Sequence, residues 1–298
     1  MDPTKYLQII EQHIPIHTYR FDESGWDNFA VIINNEWLFR FPRKEEYAQK
    51  IPREQQLYHW LRPRLQTSKV SIPEYHILYE DSGVPLCSYY KIIHGERLTS
   101  ALLHSLPLYK QEKLAKQLAL YLAALHSCNI LEARQWGFQY EQTVRYWKTM
   151  YQKLTTHAFS HLTRVEQDKV TAIFEMFLLQ MGQSTLPKAM LHADLTHTHI
   201  LFNNDSSSLT GIIDMGDGQI GDPAFDFAGL YWDYGDSFTR TVFSYYKENA
   251  FTDDTFYNRV ASFYSFSPIL HDILFGAEEK KKAIFEKNII RLKQLLHM

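Results

Sequence analysis

Residues 190–230 read MLHADLTHTHILFNNDSSSLTGIIDMGDGQIGDPAFDFAGL. Two short apolar runs, His199-Ile200-Leu201-Phe202 and Leu209-Thr210-Gly211-Ile212-Ile213, enclose the turn-rich patch Asn203-Asn204-Asp205-Ser206-Ser207-Ser208. That alternation predicts a β-hairpin. In an antiparallel pair the start of one strand lies beside the end of the other. His199, opening the first run, and Asp214, closing the second, are therefore expected side by side. Asp194, in the triplet His192-Ala193-Asp194, falls on the loop just before them. A carboxylate next to two metal-ligating groups suits phosphoryl transfer, where positioning and charge stabilisation carry the catalysis. An H-x-D triplet alone means little; the ligand five residues on and the strand-ending Asp twenty residues on make the pattern specific.

Composition sets the frame around this segment. A chain of 298 residues is long enough for two lobes. Hydrophobic residues at 45% and charged residues at 22% fit a soluble globular protein, and 19 Tyr with 19 Phe supply core and stacking surface. Net charge is −3 and the pI about 6.5, which excludes nucleic acid as the main partner because phosphate backbones call for a basic face. Cys87 and Cys128 alone cannot build a disulfide framework or a zinc site, so a reducing compartment is expected. The N-terminus lacks the pattern of a secretory signal. The apolar stretch Leu118–Leu125 is too short to cross a bilayer. A cytoplasmic monomer without a membrane partner is the expectation.

Outward from the hairpin, the first third of the chain reads as β-rich. A short amphipathic helix is expected over residues 5–13. Strands are expected at Phe29–Ile33 and Trp37–Phe41, joined at Asn34-Asn35, since Asn tolerates positive φ in a tight turn. Pro42 ends the second strand, and Pro52 opens a helix through Glu54, Leu57, Tyr58 and Leu61. Strands follow at Ser71–Tyr79 and Leu86–Ile93. After His94-Gly95 the period turns helical: Leu114, Leu118, Tyr121, Leu122 and Leu125 mark one buried face. Helices are expected around residues 141–154 and 165–182, and again from about 223 to the end, with Lys280-Lys281-Lys282 on a solvated helix face. The expected fold is α+β and two-lobed, protein-kinase-like, with a nucleotide-binding lobe over residues 1–94 and a mainly helical lobe over residues 95–298 that binds substrate and carries the catalytic loop.

Asp194 is the candidate for orienting and deprotonating an acceptor hydroxyl, and Asp214 for holding the metal that bridges the phosphates of a nucleoside triphosphate. His199 stands where protein kinases have Asn. Mg²⁺ prefers oxygen ligands, whereas imidazole suits softer ions such as Mn²⁺; a histidine that only braces the loop is the alternative. Arg40 occupies the strand position of the kinase lysine, with Glu54 on the next helix as its ion-pair partner. As readily, Arg40 is a surface residue and Glu54 a first-turn carboxylate favoured by the helix dipole. Ser24 to Asn28 precede the first hairpin and are placed to form the loop over the phosphates, although one glycine does not make a Gly-rich motif. Tyr90, Lys91 and Ile93 lie at the lobe junction, where backbone groups can read a purine edge.

The chain resembles the aminoglycoside phosphotransferases, especially the 2''-type enzymes. The resemblance is carried by Phe39-Arg40-Phe41-Pro42, by Leu118 to Ser127, by His192-Ala193-Asp194-Leu195 with His199-Ile200-Leu201, and by Gly211 to Phe227. It implies a base at Asp194, metal ligands at His199 and Asp214, a phosphate-contacting cation at Arg40, Mg²⁺, and GTP or ATP as donor. Tyr90 falls where a bulky residue accompanies GTP preference in that group. The acceptor pocket departs from the family. Asp217, Asp233 and Asp236 are its expected carboxylates, but Trp232, between Tyr231 and Asp233, and His271, at a position acidic in some relatives, make it more aromatic. Helix-packing core is the other reading of Trp232, and the favoured one from sequence. An aminoglycoside acceptor is therefore expected, with a macrolide phosphotransferase or a catalytically silent nucleotide-binding regulator as alternatives.

Overall fold

The computed structural model describes residues 3–23, 25, 27–183 and 186–297. Its first lobe is a five-stranded antiparallel sheet in the order β1-β2-β3-β5-β4: β1 Tyr19–Asp22, β2 Asn28–Ile33, β3 Trp37–Pro42, β4 His76–Tyr79 and β5 Pro85–Lys91. Asn34 and Asn35 take φ of 55° and 52°, as the β2–β3 turn requires. Asn34 does more than tolerate the turn. Its side chain accepts from the His17 and Thr18 N–H groups and donates to the Pro15 carbonyl, which fixes the entry into β1. Helix α1, Pro3–Glu11, brings Ile10 onto Phe29, Val31, Ile33, Phe39, Phe41 and Cys87, a small core on one face of the sheet. After the short α2 (Glu45–Ala48), α3 (Ile51–Leu61) carries Leu57, Tyr58 and Leu61 into the main core, which is continuous with the second lobe.

The second lobe is built on α5, Leu108–His126, buried along most of its length and packed against α9, Phe227–Tyr246. Around them stand α4 (Ser100–Ser105), α6 (Ile130–Gln135), α7 (Val144–His157), α8 (Arg164–Gln183), α10 (Phe256–Ser262), α11 (Ser267–Glu278) and α12 (Lys282–Leu296). The expected hairpin is β8, Ile200–Asn203, paired with β9, Ser208–Ile212; Ile200 faces Ile212 and the Ile213 N–H donates to the His199 carbonyl at 3.0 Å. That register places His199 beside Asp214. Strand β6, Glu96–Arg97, adds to the hairpin, while β7, Ala189–Leu191, pairs with β10, Gln219–Gly221. Buried Gln117 on α5 accepts from the Leu209 N–H and donates to the Ser68 carbonyl, tying the hairpin to the first-lobe segment between α3 and β4.

Two expectations change, and two short elements were not foreseen. Only His76–Tyr79 of the expected 71–79 strand joins the sheet. Pro73 lacks the N–H that a ladder needs, and Ser71 instead bonds to the second lobe, donating to Thr210 and accepting from Ile212, both at 3.0 Å. Strand β1 and helix α2 are too short to leave a periodic signal. Of Lys280-Lys281-Lys282, the first two form the turn between α11 and α12 and only Lys282 is helical, at the start of α12: Lys280 has φ of 55°, and the chain reverses tightly enough that a Cβ on Gly276 would lie 2.6 Å from the Phe285 nitrogen.

Candidate active site

The loop after β7 carries the candidate base. Ala193 adopts φ of 67°, and so does Asp214 at the end of the hairpin. Left-handed backbone is uncommon for residues with a Cβ and is retained where surrounding contacts over-determine it. Those contacts are visible. The Asp226 carboxylate accepts from the His192 and Ala193 N–H groups, both at 2.8 Å, and binds His126 Nε2 at 3.0 Å with its side chain fully buried. His126 Nδ1 continues to the Tyr246 hydroxyl at 2.8 Å. His192 donates from Nε2 to the Ile213 carbonyl at 3.1 Å, while its Nδ1 accepts from the Asp194 N–H at 3.3 Å. The bond that Nδ1 accepts needs the neutral ring, and burial holds its pKa down to about 4.

Three expected residues meet there. His199 Nδ1 lies 2.8 Å from the Asp194 carbonyl, to which it donates, and its Nε2 is turned to Asp214 Oδ2, 3.9 Å away. The Asp194 carboxyl is lifted to about 6, chiefly by burial; Asp217, Asp214 and Asp233 add to the rise and His199 opposes it. Burial also works to raise Asp214, but Arg40 and His199 outweigh it and hold that carboxyl below its ordinary value. The contrast suits one group that can take a proton and one that stays anionic.

Arg40 does not form the expected direct ion pair with Glu54. Its guanidinium spans Tyr75 Oη at 2.6 Å and Asp214 Oδ1 at 3.0 Å. Tyr75 stands between the two, accepting from Arg40 and hydrogen-bonding the Glu54 carboxylate. A planar fork reaches two partners at once where an ammonium is a point charge. Glu54 is buried and its carboxyl rises to about 7, mainly through burial, with Arg40 opposing. Tyr90 is buried as well, its ring stacked 5.1 Å from that of Tyr75. Lys91 points outward to Glu36 at 2.7 Å, and Ile93 packs on Gly211. Asn28 opens β2 and lines a small recess with Asp27, Arg40, Lys50 and Glu54. Ser24 lies outside the described residues. Arg43, which sequence reading did not single out, braces this turn by donating to the Glu23 and Gly25 carbonyls.

Beyond Asp194 opens a cavity of about 630 Å³. Asp217, Trp232, Asp233 and His271 line it as expected. Asp236 does not; its carboxylate is engaged by Arg240 at 2.7 Å and the Tyr257 hydroxyl at 3.1 Å. Asp233 accepts from the His197 backbone N–H and pairs with His197 Nδ1 at 2.9 Å, fixing the loop next to Asp194. The expectation of a weakly acidic pocket is corrected. Glu141 and Asp272 join Asp194, Asp217 and Asp233 on the wall, and no lysine or arginine lines it among the described residues. Glu141 precedes α7 and Asp272 lies on α11, so only folding brings them to the loop. The one available signal was that Asp272 adjoins the flagged His271.

The sequence profile of the phosphotransferase enzyme family matches residues 18–259. The chain belongs to that family. Among solved structures it is similar to the GDP and kanamycin complex of APH(2'')-IIia, at 27% identity and a TM-score of 0.85 over 97% of each chain. It is similar to the GDP complex of wild-type aminoglycoside 2'-phosphotransferase-IIIa, at 26% identity and a TM-score of 0.84 over 100% of this chain and 99% of that one. The apoenzyme of macrolide 2'-phosphotransferase MphH from Brachybacterium faecium shares the fold at 16% identity, with a TM-score of 0.71 over 97% of each chain. The protein is thus a kinase-like phosphotransferase with an alcohol group as acceptor. Among the described residues of this phosphotransferase, no helix is long and apolar enough to cross a membrane.

Residues able to hold a divalent ion are few. Among the described residues no group of three or more His, Cys, Asp or Glu side chains has metal-site geometry. His199 Nε2 and Asp214 Oδ2 face each other 3.9 Å apart and are the pair that would hold an ion. Two protein ligands suit an ion whose remaining positions go to phosphate oxygens and water, as for Mg²⁺ in nucleotide sites. The carbonyl on His199 Nδ1 supplies the outer hydrogen bond that orients a ligating imidazole.

Proposed function

We propose that this phosphotransferase moves the γ-phosphoryl group of GTP or ATP to a hydroxyl of an aminoglycoside. Asp194 takes the proton of the acceptor hydroxyl. The freed oxygen attacks the γ-phosphorus, and the bond to the β-phosphate oxygen breaks, leaving GDP or ADP. His199 and Asp214 hold a divalent ion, Mg²⁺ or Mn²⁺, which neutralises phosphate charge when bound. Arg40, oriented by Tyr75, meets the phosphates, with Glu54 behind it. Asn28, and by sequence position Ser24, belong to the segment that covers them. Tyr90, Lys91 and Ile93 border the base.

The observation that carries the acceptor is the wall of the cavity: Glu141, Asp194, Asp217, Asp233 and Asp272, besides Asp226 whose buried carboxylate is taken up by the loop and His126, and no lysine or arginine among the described residues. Exposed ion pairs are individually weak, about 0–1 kcal/mol. Several converging on one polycation give useful affinity where a single pair does not. Trp232 and His271 provide faces for sugar rings in the same cavity. The relative of known structure that holds kanamycin with GDP supports the same reading.

The test is a panel of aminoglycosides and macrolides offered with GTP and with ATP, scored by mass spectrometry for one added phosphoryl group. Transfer to an aminoglycoside is expected, with an apparent KM that rises with salt because screening weakens attraction between exposed charges. Phosphorylation of macrolides alone would overturn the acceptor, and nucleotide binding without transfer to any compound would favour a silent regulator.

A further inference from the structure

Three residues lining the acceptor cavity carry buried oxygen atoms with no hydrogen-bond partner: Gln142 Oε1, Gln219 Oε1 and Ser267 Oγ. They come from separate elements: the connection before α7, strand β10 and the first turn of α11. Their residues are 4%, 9% and 2% exposed, so bulk water does not satisfy them. A buried acceptor without a partner lowers stability, and native proteins keep few. Three on one cavity wall mark a place where a ligand completes the bonding.

The chemistry of the atoms defines that ligand. A glutamine carbonyl oxygen only accepts, and a serine hydroxyl can accept or donate, so the group that meets all three must donate to the two glutamines. The terminal amide torsion of glutamine is soft, which lets each Oε1 turn toward a guest. Charge then separates one donor from another. Glu141 is adjacent to Gln142 in sequence, and Asp272 follows Ser267 on α11, both on the same wall. Carboxylates beside neutral acceptors favour a protonated amine over a neutral hydroxyl and repel phosphate or carboxylate. We infer that Gln142, Gln219 and Ser267 form an ammonium-binding subsite of the acceptor cavity, which takes an amino group of the substrate. The inference rests on the aminoglycoside reading and adds neutral side chains that select among amine patterns.

Kanamycin binding in the presence of GDP, followed by calorimetry, tests it with Gln142→Leu and Gln219→Leu. A hydrogen bond to a charged group predicts that each variant weakens kanamycin about 10-fold or more. The GDP affinity should stay at the wild-type value. The ligand-free variants should melt at the wild-type temperature or above it, because an unsatisfied polar group has been removed. Replacing the amino groups of kanamycin by hydroxyls one at a time should reveal one position whose loss costs less in the leucine variants than in wild type, a coupling that a double-mutant cycle reads directly. Unchanged kanamycin affinity in both variants would overturn the subsite, and so would a lower melting temperature with unchanged binding, since the amides would then be structural. If neither leucine variant folds, Ser267→Ala decides: several-fold weaker kanamycin is expected, and wild-type affinity refutes. Wild-type protein that phosphorylates another acceptor but binds no aminoglycoside overturns both this inference and the reading beneath it.

Discussion

Asp226→Asn probes the device that holds the Asp194 loop in place. In the native chain one buried carboxylate accepts two backbone N–H groups at 2.8 Å and pairs with His126 at 3.0 Å. Asparagine keeps the shape but offers one carbonyl oxygen, so its NH₂ group must confront a backbone N–H of His192 or Ala193, or the His126 ring. Removing one partner from a buried hydrogen-bonded pair costs about 3–5 kcal/mol. The remaining oxygen places this variant near the lower end. For domains of 150–250 residues each kcal/mol moves Tm by about 2–4 °C, so a fall of roughly 6–12 °C is expected. The kinetic effect should exceed what lost stability explains. Without its clamp, Ala193 has less reason to stay at φ of 67°, and misplacing the base by about 1 Å costs on the order of 10²-fold in turnover. Nucleotide affinity should fall less than turnover, because Arg40 and Asp214 bond each other rather than the loop. Thermal unfolding, calorimetry with GTP or ATP, and steady-state turnover below the melting range separate these effects. Wild-type Tm together with wild-type turnover would refute the reasoning, as would loss of nucleotide affinity with turnover intact.

Asp194→Asn should retain nucleotide affinity while turnover falls about 10²–10⁴-fold, the range for removal of a general base; near-normal turnover sinks the assignment. A base with pKa raised to about 6 must be ionised to work, so kcat/KM should rise with pH through about 6 and level off above it. Asp217→Asn, which removes a charge that raises Asp194, should move that limb to lower pH, and an unmoved limb would show that another group titrates. His192 works on stability in the acid range: with its folded pKa near 4 against 6.5 in the open chain, the unfolded state binds the extra proton first. Its contribution should fade as pH drops from about 6.5 toward 4, and His192→Gln should flatten that part of a Tm–pH curve. Tyr75→Phe removes the hydroxyl between Arg40 and Glu54 and is expected to weaken nucleotide binding without altering acceptor KM, read by titration with GTP and ATP. If His199 ligates the ion, Mn²⁺ should support turnover at least as well as Mg²⁺. A nucleotide–metal complex with His199 remote from the ion would end that argument.

The hairpin and what it gathers were legible from residue order, because both are local. Two apolar runs and a polar turn fix the strands, antiparallel pairing fixes the register, and register alone puts His199 next to Asp214. Pro and Asn likewise announced the ends of β3 and the β2–β3 turn, since each restricts φ at its own position. What sequence could not decide is where partners far apart in the chain meet. Arg40 bonds Asp214 across 174 positions and reaches Glu54 only through Tyr75, an outcome set by the relative placement of β3, α3 and the hairpin. Asp226 and His126 clamp the Asp194 loop because α9 packs on α5. Glu141 and Asp272 turned a pocket that reads as aromatic into an acidic one, because α7 and α11 converge there. Local rules act over a few residues of backbone, whereas burial and charge act through space and are set only once the helices have packed.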